Sequence, residues 1–430
     1  MLHRVLGVVS LLLAFFTVNA TAKENILYNF TGSADGGSPQ AGLVHDRFGN
    51  LYGTTSRGGA GRCFGLGCGT VFQLKQNGDG SWTKNTIHTF SGDDEGGVPV
   101  GTLAIDSKGN LFGVTEQGGM GPCDSVLGGG CGVVYALSPK NDGSWAFHLI
   151  YTFSHPGSVD DGAYPDAGVI VDKQDNLYGT TEFGGSFVCD CGIVYKLSPN
   201  AGQWKETVLY SFVGISQGGS DVSFPTGPVT LDANGNIFGT GSGGGDVLCD
   251  LGCGGVFLLA PNGDGPYDEQ VLHIFEGGSD GSEPETGLTL DPTGNIFGTT
   301  AFGGGGTGCA NGDNGCGTIF KMTPSNGDYQ FQIIFSFAGP NGYAPFGELL
   351  RDAKGNLYGT TEGGGTANAG VGFRLSQAGG QWKETALYSF GIGSDGATPT
   401  GPVMGSTKSG FFGTTAGGGA SDWGTVFQLK

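Results

Sequence analysis

The sequence repeats one arrangement of apolar and polar positions seven times. The phrase "GNLYGTT" at residue 49 returns as "GNLFGVT" at 109, "DNLYGTT" at 175, "GNIFGTG" at 235, "GNIFGTT" at 294, "GNLYGTT" at 355 and "SGFFGTT" at 409. An apolar run precedes each phrase, a glycine-rich stretch and a second run such as "GTVFQL" follow it, and a run such as "VLYSF" comes last. A self-similar period of about 60 residues indicates a repeat architecture.

The apolar runs predict four β-strands in each repeat, which we call A to D in chain order. The runs are short, rich in Val, Ile, Phe and Tyr, and bounded by Gly, Asn and Asp, as is typical of strands. Several are apolar at consecutive positions, which predicts burial on both sheet faces. We therefore predict an all-β fold, a seven-bladed β-propeller with four antiparallel strands per blade. A parallel β-helix also repeats, but its coils are much shorter than these repeats.

The two ends of the chain predict how the ring closes. Residues Ile26 to Phe30 resemble a D strand without its own A, B and C, and the chain ends on a C strand. We predict that Ile26 to Phe30 pairs with Thr425 to Leu429, because closure removes an exposed sheet edge. Residues 26–430 would then form one propeller of seven repeats.

Recurring polar and aromatic residues fit this arrangement. An acid ends the A run in six repeats, where it is placed to hold the A–B turn, and Ser406 replaces it in the seventh: Asp46, Asp106, Asp172, Asp232, Asp291 and Asp352. Four tryptophans share the position just before strand D: Trp82, Trp145, Trp204 and Trp382. Their recurrence favours packing over a sugar-stacking platform, whereas Trp423 lies elsewhere, just ahead of the last C strand.

All ten cysteines fall in the B–C loops of the first five repeats. An even number of cysteines in an exported chain indicates disulfides. We predict one bridge within each loop: Cys63–Cys68, Cys123–Cys131, Cys189–Cys191, Cys249–Cys253 and Cys309–Cys316. The bridge between Cys189 and Cys191 spans one residue and would be strained. Zinc is the alternative, but the spacings are irregular and histidine partners are missing.

The N-terminus and the net charge restrict location and partners. Residues 1–22 read as a secretory signal, with Arg4, an apolar stretch from Val5 to Val18 and an A-x-A-like cleavage site; an uncleaved anchor is the alternative. No later stretch is long and apolar enough to cross a bilayer. The formal net charge of −20, or −21 without Arg4, argues against nucleic acid and anionic membranes as partners. We expect a secreted or periplasmic monomer.

A second recurring phrase, such as "DGGSP" or "DGAYP", opens each D–A loop. The B–C and D–A loops share one face of the ring, so these oxygens would surround the channel mouth and form a candidate cation or polar-ligand site. The residues are Asp35, Glu95, Asp161, Asp221, Asp280, Asn341 and Asp395. Calcium is the possible ion, because hard cations need several oxygen ligands. The alternative is a turn device, and recurrence in every blade favours it.

The repeated "GNLYGTT…GG…GTVFxL" pattern resembles the Gloeo/Verruco (GloVer) repeat of exported bacterial proteins. The match covers residues 26–430. The resemblance implies export and a repeat architecture, and it supplies no activity or catalytic residues. Members of the family carry varied anchoring tails, but this sequence stops at Lys430 directly after its last strand. We therefore expect free secretion or periplasmic residence.

Three functions fit the sequence. The first is a non-enzymatic binding propeller that presents its stapled, acidic loop face to a protein or glycan, and it is favoured because no nucleophile–base arrangement is evident. The second is an extracellular lyase or hydrolase with paired carboxylates at the channel mouth. The third is a structural component of the envelope or matrix. An enzyme should carry an asymmetric cluster of titratable groups in the channel, and a binder an exposed apolar patch on the loop face.

Overall fold

The computed structural model describes residues 22–61, 63–123, 129–154, 161–185, 189–214, 221–245, 249, 252–263, 266–309, 315–391 and 393–430. The predicted secretory signal, residues 1–22, lies outside the described residues except for Ala22. No helix in the described ranges is long and apolar enough to cross a membrane.

The described residues form seven sheets of four antiparallel strands, which confirms the predicted seven-bladed propeller. Strand β1 (Glu24–Asn29) belongs to the last blade. Blade 1 contains β2 (Val44–His45), β3 (Leu51–Thr55), β4 (Thr70–Gln76) and β5 (Trp82–Thr89). Blade 2 contains β6 (Gly97–Ile105), β7 (Leu111–Gln117), β8 (Val133–Pro139) and β9 (Trp145–Thr152). Blade 3 contains β10 (Gly162–Ala163), β11 (Ile170–Val171), β12 (Leu177–Thr181), β13 (Phe183–Gly184), β14 (Ile193–Asn200) and β15 (Gln203–Ser211).

The remaining blades repeat this plan. Blade 4 contains β16 (Val222–Ser223), β17 (Thr230–Leu231), β18 (Ile237–Gly241), β19 (Gly243–Gly244), β20 (Gly255–Ala260) and β21 (Asp268–Ile274). Blade 5 contains β22 (Thr289–Leu290), β23 (Ile296–Thr300), β24 (Thr318–Ser325) and β25 (Asp328–Ser336). Blade 6 contains β26 (Leu350–Arg351), β27 (Leu357–Thr361), β28 (Val371–Ala378) and β29 (Gln381–Ser389). Blade 7 contains β30 (Gly396–Ala397), β31 (Met404–Ser406), β32 (Gly410–Thr415), β33 (Gly417–Gly418) and β34 (Thr425–Leu429), and β1 completes it. Among the described residues, short 3-10 turns cover Cys63–Gly65 and Gly339–Asn341.

The ring closes as the sequence predicts. Strand β1 pairs antiparallel with β34, in a register that joins Glu24 to Leu429 and Asn29 to Thr425, with one irregularity near Ile26. The observed strand begins two residues earlier than the predicted run. The first strand is thus the D strand of blade 7, and every blade has a neighbour on both sides.

The repeated "GTT" serves packing within and between blades. A Cβ on Gly53 would lie 2.7 Å from Cζ of Phe72, so glycine makes room for the aromatic ring of strand C. The first Thr donates across the blade interface in several blades, as Thr414 Oγ1 does to the Ala41 carbonyl at 2.7 Å. The second Thr is buried and bonds strand C, as between Thr55 and Thr70 at 2.9 Å.

The four recurring tryptophans have the predicted packing role, and they pack between neighbouring blades. Each is partly buried, and its ring meets the edge of an aromatic residue on strand B of the preceding blade. The pairs are Trp82–Phe412, Trp145–Tyr52, Trp204–Phe112 and Trp382–Phe297, with centroids 5.7 to 6.4 Å apart. Such contacts stabilise each blade only when its neighbour is in place.

The A–B turns use the recurring Asp as expected. In blade 1, Asp46 Oδ1 accepts the backbone N–H groups of Phe48 at 2.8 Å and Asn50 at 3.0 Å. Its Oδ2 accepts Asn50 Nδ2 and the hydroxyl of Tyr52. The carboxylate of Asp46 and the backbone make the hydrogen bonds of the turn, so the side chain of Phe48 is not needed to stabilise it.

The cysteines form the five predicted bridges, each within one B–C loop. The Cα atoms of Cys189 and Cys191 lie 5.1 Å apart, inside the usual range for a disulfide. The second cysteine of each pair is almost fully buried at the junction with the next blade. A Cβ on Gly92 would lie 2.7 Å from the Sγ atoms of both Cys63 and Cys68, so the sulfurs fill that junction.

Candidate functional site

The channel wall is shaped by a break in the extended backbone, at a proline in the segment that forms or leads into each A strand. The residue before the A-strand proline has a positive φ of 53 to 57° in every blade: Ser38, Val98, Tyr164, Phe224, Glu283, Ala344 and Thr398. This backbone region is uncommon for residues other than glycine and costly for a β-branched one. Recurrence in seven blades indicates that the surrounding structure imposes it.

Two hydrogen bonds hold each break, and one of them crosses to the neighbouring blade. The amide of Val98 donates to the carbonyl of Cys68 in blade 1 at 2.9 Å. In blade 3 the carbonyl of Tyr164 accepts the amide of Glu182 at 3.0 Å. The break therefore joins the end of strand B to strand A, and it brings residues that follow the proline to the channel wall.

The central channel holds a cavity of about 610 Å³ lined by residues of all seven blades. Four carboxyl side chains line it: Asp166, Glu182, Glu285 and Glu348. Three further acids raise the pKa of Glu182 or Glu285 through their charges: Glu116, Glu283 and Glu362. We call the seven the channel acids.

The channel acids occupy four positions of the repeat. Glu116, Glu182 and Glu362 share the position after the last Thr of the repeated phrase, at the end of strand B. Glu283 precedes the proline of blade 5, Asp166 and Glu285 follow the proline directly in blades 3 and 5, and Glu348 lies three residues after the proline of blade 6. The corresponding residues of blades 1, 4 and 7 are uncharged, for example Gln40, Thr226 and Thr400. The cluster therefore breaks the sevenfold repeat, and it draws only on blades 2, 3, 5 and 6.

Burial among like charges favours the protonated form of these carboxyls. Burial, with the charges of Asp166 and Glu116, raises the pKa of Glu182 to about 7. Burial raises the pKa of Glu285 to about 7. The charges of four acidic neighbours add to this effect, and Glu283 contributes the most among them. Burial alone raises the pKa of Glu348 to about 7. Near neutral pH the cluster thus contains both carboxylic acids and carboxylates, which is what general acid–base chemistry needs.

The seven residues predicted to surround the channel mouth are not among those that line the cavity. Six interact with side chains or backbone at the end of the preceding D strand, as Asp35 does with the hydroxyl of Tyr28 at 3.1 Å and the amide of Thr31 at 3.0 Å. The corresponding contacts are His88–Glu95, Tyr151–Asp161, Tyr210–Asp221, His273–Asp280 and Tyr388–Asp395. Asn341 accepts the amide of Ala338 at 2.8 Å. These contacts suit the turn role, and calcium binding stays a prediction.

Three of these carboxylates meet a second acid from the next blade. The hydroxyl of Tyr151 lies 3.2 Å from Asp161 Oδ1 and 2.9 Å from Glu206 Oε2. Burial and the charge of Asp161 raise the pKa of Glu206 to about 7. Equivalent pairs are Asp221–Glu269, where burial and Asp221 raise the pKa of Glu269 to about 8, and Asp395–Glu24, where burial and Asp395 raise the pKa of Glu24 to about 9. In each pair, burial and the neighbouring carboxylate favour the protonated form of the glutamate.

Metal chemistry has no evident centre in the described part of the chain. No group of three or more His, Cys, Asp or Glu side chains there is close enough to hold a metal ion. The channel acids were not identified by sequence reasoning, although one signal was present. The repeated phrase continues as "TEQ", "TEF" and "TEG" in blades 2, 3 and 6, whereas Ser or Ala follows it elsewhere.

Comparison with known proteins supports the family and the fold. A profile of the Gloeobacter/Verrucomicrobia repeat matches residues 120–310 and 305–430. No curated protein matches the sequence.

Several solved structures are similar over most of their length. An ulvan lyase, a polysaccharide lyase bound to -[GlcA(1-4)Rha3S]-, has a TM-score of 0.54 at 12% identity, covering 92% of this chain and 94% of that one. A protein from Lactobacillus plantarum has a TM-score of 0.49 at 14% identity, with 83% and 87% covered. A putative oxidoreductase (glucose dehydrogenase) from Thermus thermophilus has a TM-score of 0.44 at 15% identity, with 77% and 96% covered. At these identities the likeness concerns the fold alone.

Proposed function

The chain belongs to the Gloeobacter/Verrucomicrobia repeat family, and we propose that it binds a neutral or amine-bearing saccharide in the channel and hydrolyses a glycosidic bond there. The observation that carries this proposal is the asymmetric convergence of the channel acids on one cavity of about 610 Å³. A cavity of this size accommodates a few sugar rings. A ring built only for stability gains nothing from placing like charges together in its channel.

The charge of the cavity restricts the substrate. Carboxylates repel anionic polymers and accept hydrogen bonds from sugar hydroxyls or amines. Phe346 also lines the cavity and offers an apolar surface for a sugar ring. We therefore favour a hydrolase over a lyase, because a lyase acting on uronic acids must neutralise a carboxylate next to the carbon that loses its proton.

Two neighbouring channel acids of blade 3 are assigned the chemical roles. Glu182 has a raised pKa and donates a proton to the glycosidic oxygen. Asp166 is the neighbouring carboxylate that takes a proton from the attacking water. The C–O bond to the leaving sugar breaks, and the water oxygen bonds to the anomeric carbon. The two products share the atoms of one water.

The decisive experiment incubates residues 22–430 with neutral glucans, mannans, xylans and galactans and with chitosan oligomers, and it measures newly formed reducing ends. Glu182→Gln and Asp166→Asn should each lower kcat/KM at least about 100-fold. Glu276→Gln, an exposed acid outside the channel, is the matched control and should retain activity. If none of these saccharides is cleaved, the proposed hydrolase activity is rejected.

A non-catalytic binding role is the second candidate, and one observation favours it. Met120 and Leu66, on the B–C loops of blades 2 and 1, are 82% and 39% exposed, which is unusual for large apolar side chains. Saccharide or protein binding that survives Glu182→Gln and is lost with Met120→Ser would assign the function to the loop face. We infer that either activity takes place outside the cytoplasm, because five disulfides are typical of exported proteins.

A further inference from the structure

A groove between blades 1 and 2 opens on the face formed by the A–B and C–D turns, opposite the loop face. It has a volume of about 620 Å³. From its composition we propose that this groove binds an anionic saccharide. The site is separate from the channel and does not depend on the function proposed for it.

The groove concentrates positive charge in an acidic protein. Two carboxylates, Asp46 and Asp106, line it, and four of the 19 Lys and Arg of the sequence outnumber them: Arg47, Lys75, Lys108 and Lys140. Lys108 is paired with Asp175 at 2.7 Å. The other three side chains are exposed and make no ion pair among the described residues, although Lys140 acts electrostatically on Asp142, so their charges can reach a ligand. Because the whole chain has a formal net charge of −20, a local excess of cations distinguishes this groove from the rest of the surface as a site for an anion.

An exposed aromatic ring stands at the edge of the groove. Phe48 is 75% exposed, and the guanidinium of Arg47 lies 4.8 Å from its ring centroid. The A–B turn does not need this ring, since Asp46 and the backbone satisfy the turn. At the matching position the other six blades carry polar residues: Lys108, Gln174, Asn234, Thr293, Lys354 and Lys408. An aromatic side chain that appears once, in water, beside unpaired cations indicates a ligand-binding role.

The groove also offers polar groups in fixed positions. The hydroxyl of Tyr52 donates to Asp46 at 2.9 Å and accepts Gln73 Nε2 at 2.8 Å. Gln73 Oε1 in turn accepts Asn85 Nδ2 at 3.2 Å. Trp145 adds a partly buried ring that meets Tyr52 edge-on. Aromatic faces for sugar rings, amides for hydroxyls and cations for acidic substituents together match an acidic saccharide better than an acidic peptide, which has no rings to stack.

Three probes of similar length test the chemistry by titration calorimetry. They are a galacturonic acid hexamer, the same hexamer fully methyl-esterified and a hexaglutamate peptide. We expect the acidic hexamer to bind at least about tenfold tighter than either control, with an affinity that falls as salt is added. Equal binding of the neutral ester would reject the role of charge, and equal binding of hexaglutamate would reject the saccharide. A sulfated hexasaccharide distinguishes the two acidic groups, and no binding of either anionic sugar would overturn the proposal.

Two variants locate the binding. Phe48→Ala should weaken binding of the anionic hexamer about tenfold, and Arg47→Ala combined with Lys140→Ala should weaken it further and reduce its salt dependence. Lys354→Ala, at the position of blade 6 that matches Phe48, is the control and should change nothing. Because all these side chains are exposed, the variants should keep the wild-type melting temperature, which is measured alongside. Unchanged binding by both groove variants would place the ligand elsewhere and reject the site.

Discussion

The backbone carbonyl of Trp423 accepts a hydrogen bond of 2.8 Å from the amide of Ser38, across the junction between blades 7 and 1. The carbonyls of the second loop cysteines play the same part in blades 1 to 5, as Cys68 does for Val98. Trp423 thus stands at the cysteine position of the last blade, and a Cβ on Gly37 would lie 2.6 Å from its indole. One large ring fills the space that two sulfurs fill elsewhere.

Trp423→Ala should therefore weaken the junction that closes the ring. We expect the free energy of unfolding to fall by about 2 kcal/mol, because the side chain is partly buried and leaves a cavity. Urea unfolding measures the change. Phe48→Ala removes an exposed ring of the same kind and should change the free energy by less than about 0.5 kcal/mol. Equal effects of the two substitutions would contradict the assigned role of Trp423.

The sulfurs of the Cys63–Cys68 bridge lie so close to Gly92 that any larger residue there should destabilise the protein. Gly92 has a φ of 87°, and Gly80, in the C–D turn of the same blade, has a φ of 85° with open space around it. Gly80→Ala should cost only the backbone strain, about 1 kcal/mol. Gly92→Ala adds overlap with both Sγ atoms and should cost about 3 kcal/mol in total. If chemical denaturation gives equal losses for the two variants, the disulfide does not fill this junction as described.

Stability should fall as the pH rises from about 7 to 9. The folded state raises the pKa of Glu269 to about 8 and of Glu24 to about 9, so in this range it binds more protons than the unfolded chain. Their favourable contribution is complete below the unfolded pKa and is lost as each group ionises in the folded state. Melting temperatures across this range measure the loss. Glu269→Gln should flatten the decline, and Glu276→Gln should leave its slope unaltered; a melting temperature that rises over the same range would refute this linkage.

At low pH, protonation of the aspartates in the A–B turns should lower the stability of the protein. Asn295 and Thr293 donate hydrogen bonds to Asp291, and against the opposing effect of burial they lower its pKa to about 2. A lowered pKa contributes stability above the unfolded value, and this contribution is lost as the pH falls from about 4 towards 2. Asp291→Asn should destabilise the protein at pH 7 and have a smaller effect at pH 2. An effect of equal size at both pH values would show that the charge of Asp291 does not matter.

The channel acids should reduce stability. At pH 8 Glu182 is largely ionised beside Asp166 and Glu116, so Glu182→Gln removes repulsion and should raise the free energy of unfolding by about 1 kcal/mol. The gain should shrink at pH 5, where the carboxyl is already neutral. Thermal unfolding at the two pH values provides the measurement. A loss of stability at pH 8 would mean that Glu182 supports the fold and would weaken its assignment to a functional site.

The repeat made the architecture accessible from the sequence, and the same repetition concealed the site. Strand type, blade number, ring closure and the loop bridges each follow from a pattern that recurs, so that every copy supports the others. Glu182 and Glu348 carry no such support, because each appears at a position where most blades have another residue. Their proximity depends on the proline break in strand A, which the sequence shows only as a turn-like "YP" or "AP". The oxygens that do recur, such as Asp161, bind their own D strand.

The pairing of β1 with β34, which joins Glu24 to Leu429, also affects whether the protein refolds as a monomer or as a dimer. Strand β1 is the first strand and β34 the last, so β1 stays unpaired until the whole ring has folded. Until then, its free edge can pair with β34 of a second molecule. Refolding at high protein concentration should yield dimers that exchange this strand, and dilute refolding should yield the closed ring.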